Sequence, residues 1–184
     1  MSKSISMTTG LKFGLLGALL YVISVWLKFR FFDEKIASFS MVAIGGYAVF
    51  VIVWIMAALS RRRQTGGYAD IRELFQTIFL VIVIGELAYA IFNYVYVSYI
   101  DVNFFDRLAD NTERLQLQHI KNADNSEQLD QLVQSIRDQQ IISWKTALFV
   151  FAQAIVFDSI LGIIIAFLFK RAKNLSEKDL DLAL

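Results

Sequence analysis

Cysteine and proline are both missing from this chain, and histidine occurs once. Without cysteine there is no disulfide, no thiolate nucleophile and no cysteine metal site. His119 stands alone in a polar stretch and cannot build a metal centre by itself. Without proline, helices lose the commonest cause of a sharp kink. The broken helices of transporter midplane sites are flagged by Gly or Pro interruptions, and within the apolar runs only Gly45-Gly46 could serve. Two adjacent glycines in an apolar helix read first as a packing notch. Basic and acidic residues nearly balance, at 18 against 17, so bulk charge gives no reason to expect nucleic acid. Gly66-Gly67 supplies a turn but lacks the lysine and preceding strand of a phosphate-binding loop. No nucleophile–base pair, metal cluster or cofactor fingerprint is visible, so neither an enzyme nor a cofactor is expected.

What the chain has in excess is apolar sequence. At 57% hydrophobic it exceeds the ~45–50% of soluble domains. The excess falls into four runs, Leu11–Phe32, Phe39–Leu59, Gln76–Val97 and Thr146–Phe169. A bilayer core takes about 20 helical residues to cross, and each run is long enough. The runs predict membrane-spanning helices over 11–32, 39–59, 74–99 and 145–169. The first is longer than the ~7–15-residue core of a signal peptide and no cleavage pattern follows it, so it reads as a retained helix. The expected fold is all-α: a single membrane domain over 1–184, with four transmembrane helices in an antiparallel bundle.

Charge orients this bundle. Arg61, Arg62 and Arg63 follow the second run, Lys170, Arg171 and Lys173 follow the fourth, and Lys3 and Lys12 flank the first. Placing these groups on one side satisfies the positive-inside rule with an even number of spans, and both termini are then cytoplasmic. Arg61, Arg62, Arg63, Lys170 and Arg171 are the expected lipid contacts, and the tail 170–184 is cytoplasmic. The other side receives Lys28, Arg30 and Lys35 in a short connector, and the net acidic connector 101–143. Tyr94, Tyr96, Tyr99 and Trp144 would mark the outer interface. The expected location is a bacterial inner (cytoplasmic) membrane, multi-pass.

The long connector carries a helical pattern of its own. Leu129, Leu132, Val133 and Ile136 recur at i, i+3, i+4 and i+7. Phe104, Phe105, Leu108 and Leu115 predict a second amphipathic helix, with the turn at 122–126. An extracytoplasmic helical hairpin results, either a solvated lid or a docking surface. Asp70, with Glu73 three residues on, predicts a capping box at the start of the third helix.

Two carboxylates lie near the middle of apolar runs, Glu86 in the third and Asp158 in the fourth. Charge there is costly, so an intramembrane acid is a candidate functional residue. Ala154, Asp158, Gly162 and Ala166 recur every four residues, a small-residue seam that lets helices approach closely. Glu86, Tyr89 and Asn93 lie on or beside one face of the third helix, and Tyr21 and Tyr47 fall near the middle of the first two. A cluster of Glu86, Asp158, Tyr21, Tyr47, Tyr89 and Asn93 is therefore the candidate proton, cation or helix-packing site. With no cation at that depth, at least one acid is expected to be neutral and to donate a hydrogen bond. Gly10 and Gly14 add a GxxxG pair, a dimerisation pattern that is also common by chance in glycine-containing helices.

The segments GLKFGLLGALLY at the amino-terminal helix, GGYADIRELF entering the third helix and FNYVYVSYIDVNFFDRL leaving it carry a likeness. The chain resembles the four-helix membrane family catalogued as domain of unknown function 4199, found mainly in Bacteroidota. Val102 stands where members often have proline. The resemblance implies an inner-membrane location and no chemistry. The expected function is that of a non-enzymatic scaffold or accessory subunit of a membrane complex. The alternative is a small proton-coupled transporter or ion pathway using the midplane carboxylates. Candidate partners are the lipid bilayer, a membrane or periplasmic protein and a second copy of the chain.

Overall fold

The computed structural model describes residues 2–31, 36–117, 124–138 and 143–171. The protein is all-α. Its helices are α1 (Ser2–Phe31), α2 (Ile36–Gln64), α3 (Ile71–Val95), α4 (Phe104–Leu117), α5 (Asp124–Asp138) and α6 (Trp144–Phe169), and a π-helical turn, Tyr96–Ile100, extends α3. No strand occurs among the described residues. The four long helices contain the apolar stretches Met7–Phe31, Ser38–Gln64, Ile71–Ile100 and Trp144–Phe169. At ~1.5 Å per residue each exceeds a hydrocarbon core of ~30 Å. Their outward residues are apolar too: Leu15, Ile44, Ile91, Phe149 and Phe157 are all exposed. Helices apolar on every side suit a lipid solvent, where the backbone must satisfy itself. This is a multi-pass membrane protein.

The chain divides into two compact units, and every long helix contributes to both. The first comprises 1–18, 50–86 and 153–184; the second comprises 19–49 and 87–152.

The first unit is packed through glycines. Phe50 of α2 lies against Gly17 of α1 and across Gly85 of α3, where an added Cβ would overlap its ring. Gly10 and Gly14 abut Leu80 and Ile84 of α3, so the GxxxG pair is taken up inside the chain. α2 ends in a hydrogen-bonded stop rather than a loose loop. Gly66 N–H donates to Arg63 O at 3.2 Å and Gly67 N–H to Arg62 O at 3.0 Å. This pattern needs a left-handed residue after the helix, and Gly66 has φ 71°. Beyond the turn, Ala69 and Arg171 exchange two backbone hydrogen bonds of 3.1 Å, tying the α2–α3 connector to the residues after α6.

The second unit is packed through aromatics. Phe29 of α1 stacks on Tyr96 at 4.4 Å between centroids and meets Phe104 edge-on at 4.7 Å. Phe39 and Phe105 complete the cluster. Tyr96 is therefore a core residue and not the interface anchor its position predicts, whereas Tyr99 and Trp144 are exposed. The π turn accounts for Tyr96: Asp101 N–H donates to Tyr96 O, five residues back, at 2.8 Å. Widening the turn lets Tyr96 and Val97 both face inward.

α4 and α5 bury the expected apolar stripes, with Phe104, Phe105 and Leu108 from one and Leu129, Val133 and Ile136 from the other. Arg137 of α5 reaches Asp110 of α4 at 2.7 Å and Glu113 at 3.8 Å. Asp124–Ser126, expected in a turn, already belong to α5. Residues 122 and 123, together with Asp33–Lys35, His119, Lys121 and Lys173, lie outside the described residues.

Candidate functional site: a buried carboxyl pair

Glu86 lies on α3 and Asp158 on α6, and the helices meet where the small-residue seam allows. Gly162 of α6 sits against Ile78 and Ile82 of α3, at distances that leave little room for a side chain. The helices are antiparallel, so four residues back along α6 corresponds to four residues forward along α3. That register sets Asp158 opposite Glu86. Both are deeply buried, at 4% and 3% exposure, and their carboxyl groups are hydrogen-bonded to one another. Such a bond needs a proton on one partner, since two ionised carboxylates have only acceptors. Gly162 and Ala166 continue the buried seam below Asp158, and Gly85, beside Glu86, is sealed by Phe50. The pair can hold a proton and hold two helices together.

The tyrosines belong to the second unit. Tyr21 of α1 stacks on Tyr89 of α3 at 4.9 Å and 14°. Tyr47 and Asn93 are half-buried in that unit.

The basic residues divide by burial. Arg61, read above as a lipid contact, is an internal residue: it is 1% exposed and its guanidinium faces Glu73 at 3.5 Å. The acid of the expected capping box is thus also the counter-charge of α2. Arg62 Nε–H donates to Gly67 O at 3.2 Å, bracing the turn. Arg63, Lys170 and Arg171 are exposed. Lys170 lies over the Phe167 ring at 4.0 Å, and Arg171 over Tyr68 at 5.7 Å.

Lys28 also lies elsewhere than its sequence position suggests. Expected in a short connector, it is inside α1 and buried, with its ammonium over the rings of Phe29 and Phe39 at 4.7 and 4.5 Å. The available signal was spacing: Tyr21, Ser24, Val25 and Lys28 fall at i, i+3, i+4 and i+7, one helical face.

The model of the family described as "Protein of unknown function (DUF4199)" matches residues 9–171. The chain belongs to this family. The match includes all four apolar helices, α4 and α5, and so both compact units. No curated protein and no solved structure matches the chain. The family description assigns no activity, and among the described residues no group of three His, Asp or Glu side chains could hold a metal ion.

Proposed function

We propose that this DUF4199 protein is a non-enzymatic scaffold or accessory subunit of a bacterial inner-membrane complex. The carboxyl pair carries the reading. The two acids are bonded to one another in a close-packed helix seam, as in interhelical glue. Polar surface suited to a partner lies instead on α4 and α5, where Asp110, Arg114, Asp130, Gln134 and Arg137 are exposed. In this reading the exposed Arg63, Lys170 and Arg171 face the cytoplasmic leaflet, both termini are cytoplasmic, and α4 and α5 meet a membrane or periplasmic partner.

Photo-crosslinkers at Asp130 and Gln134 in native membranes test it. A discrete adduct with a second protein is the expected result; solvent quenching alone, with only the free chain recovered, would sink the scaffold reading. The second reading, a proton-coupled carrier, is favoured by one observation, the hydrogen bond between two buried carboxyl groups. Reconstituted vesicles decide it: substrate-driven proton movement abolished by both Glu86→Gln and Asp158→Asn would replace the scaffold with a carrier.

A further inference from the structure

A glutamine faces outward well inside an apolar helix. Gln153 of α6 is exposed, nine residues in from Trp144 and sixteen in from Phe169. At ~1.5 Å per residue the nearer end is about 13 Å away, further than a glutamine side chain extends. Among the described residues its amide makes no hydrogen bond. Helical geometry fixes its direction. Gly162, which packs against α3, is nine residues further on, and at about 100° per residue the two positions lie on opposite sides of α6. Gln153 therefore points away from the seam that holds Asp158.

The outward face carries a regular pattern. Gln153, Ile160 and Phe167 are spaced by seven, with Val156 and Ile163 between them, and all five are exposed. This is the a and d spacing of a helix pair with one polar residue at an a position, the device that fixes register and oligomeric state in coiled coils. The Gly10–Gly14 pair does not compete as a dimer face, because Leu80 and Ile84 already lie against it.

An amide without a partner is costly in hydrocarbon. We propose that α6 pairs in parallel with α6 of a second copy of this chain, the two Gln153 amides bonding to each other across a two-fold axis. Symmetry favours a second copy over a different protein. Two copies inserted with the same topology put Gln153 at the same depth and on the same face, with no search for register. The amide is also complementary to itself. Its NH2 carries partial positive charge and its carbonyl partial negative charge, so a two-fold arrangement closes two N–H···O bonds. The flanking apolar side chains then pack against their own counterparts, an isologous contact.

The chain has no cysteine, so single introduced cysteines can map the contact. The full-length protein is reconstituted in phosphatidylcholine vesicles over a range of protein-to-lipid ratios. Fluorescence transfer between donor- and acceptor-labelled copies should rise saturably with that ratio. Gln153→Leu should raise the dimer dissociation constant about 5–30-fold, with Gln153→Asn falling between the two. Under mild oxidation Ile160→Cys should form a disulfide-linked dimer, and Leu161→Cys, exposed but about 100° round the helix, should not. Transfer no higher than random collision, a dimer that Gln153→Leu leaves equally tight, or equal linking at Leu161 overturns the proposal. So does an Ile160→Cys chain that, oxidised in native membranes, links only to another protein. The cysteine map retains Gln153, so it decides the matter even where Gln153→Leu does not fold. None of these readouts involves α5, so the outcome is separate from that of the partner proposed there.

Discussion

The two units solve the same problem, how to bury polar groups in an apolar helix assembly, in opposite ways. The unit formed by 1–18, 50–86 and 153–184 brings backbones close through Gly10, Gly14, Gly17, Gly85 and Gly162, and its buried charges are met by partners: Glu86 by Asp158, Arg61 by Glu73. The unit formed by 19–49 and 87–152 is built on large rings, and its buried cation is met by π faces. Close backbone approach lets carboxyl groups on facing helices reach one another. Ring-filled interfaces keep the backbones apart and leave a small cavity beside the lysine.

Mutations separate the two modes. The largest loss is expected in the aromatic unit. Phe29 touches Phe39, Tyr96, Phe104 and Phe105, so Phe29→Ala should cost about 3–5 kcal/mol, read as a fall in the unfolding midpoint in detergent. In the glycine-packed unit, Gly85→Ala forces the Phe50 ring aside and should cost about 1–3 kcal/mol. Adding Phe50→Leu should restore part of that loss. A larger cost for Gly85→Ala than for Phe29→Ala, or no recovery in the double variant, would break the contrast.

The carboxyl pair should contribute less. A double-mutant cycle of Glu86→Gln and Asp158→Asn should give a coupling of about 0.6 kcal/mol and no more than about 1.7 kcal/mol. Infrared spectra should show a protonated carboxyl C=O stretch in the wild type that is lost in the double variant. Zero coupling together with no such band would remove the shared proton. Smallest of all, Arg137→Gln should cost about 0.2–1 kcal/mol, because its contacts with Asp110 and Glu113 are exposed, and the loss should shrink as salt is raised.

Much of this arrangement was readable in the sequence, for definite reasons. Run length gives the four long helices, because a bilayer core sets a minimum apolar stretch. Four-residue spacing gives the seam through Asp158, Gly162 and Ala166, all buried. The periodic stripes give α4 and α5. What escaped depends on tertiary contacts. Lys28 and Arg61 sit near helix ends, where charge ordinarily marks the approach to water. Only the partners, ring faces in one case and Glu73 in the other, turn them inward. Tyr96 escaped because α-helical spacing does not anticipate a π turn.

That turn has a consequence for how the chain tolerates change. A five-residue turn carries one residue more than the ordinary helix needs, a spare link in the chain. Deleting Ser98, Tyr99 or Ile100 can be absorbed by relaxing to the usual pitch, and the faces of α3 before the turn are left as they are. The same deletion at Ile91 has no slack to draw on and would swing every later side chain of the helix by about 100°.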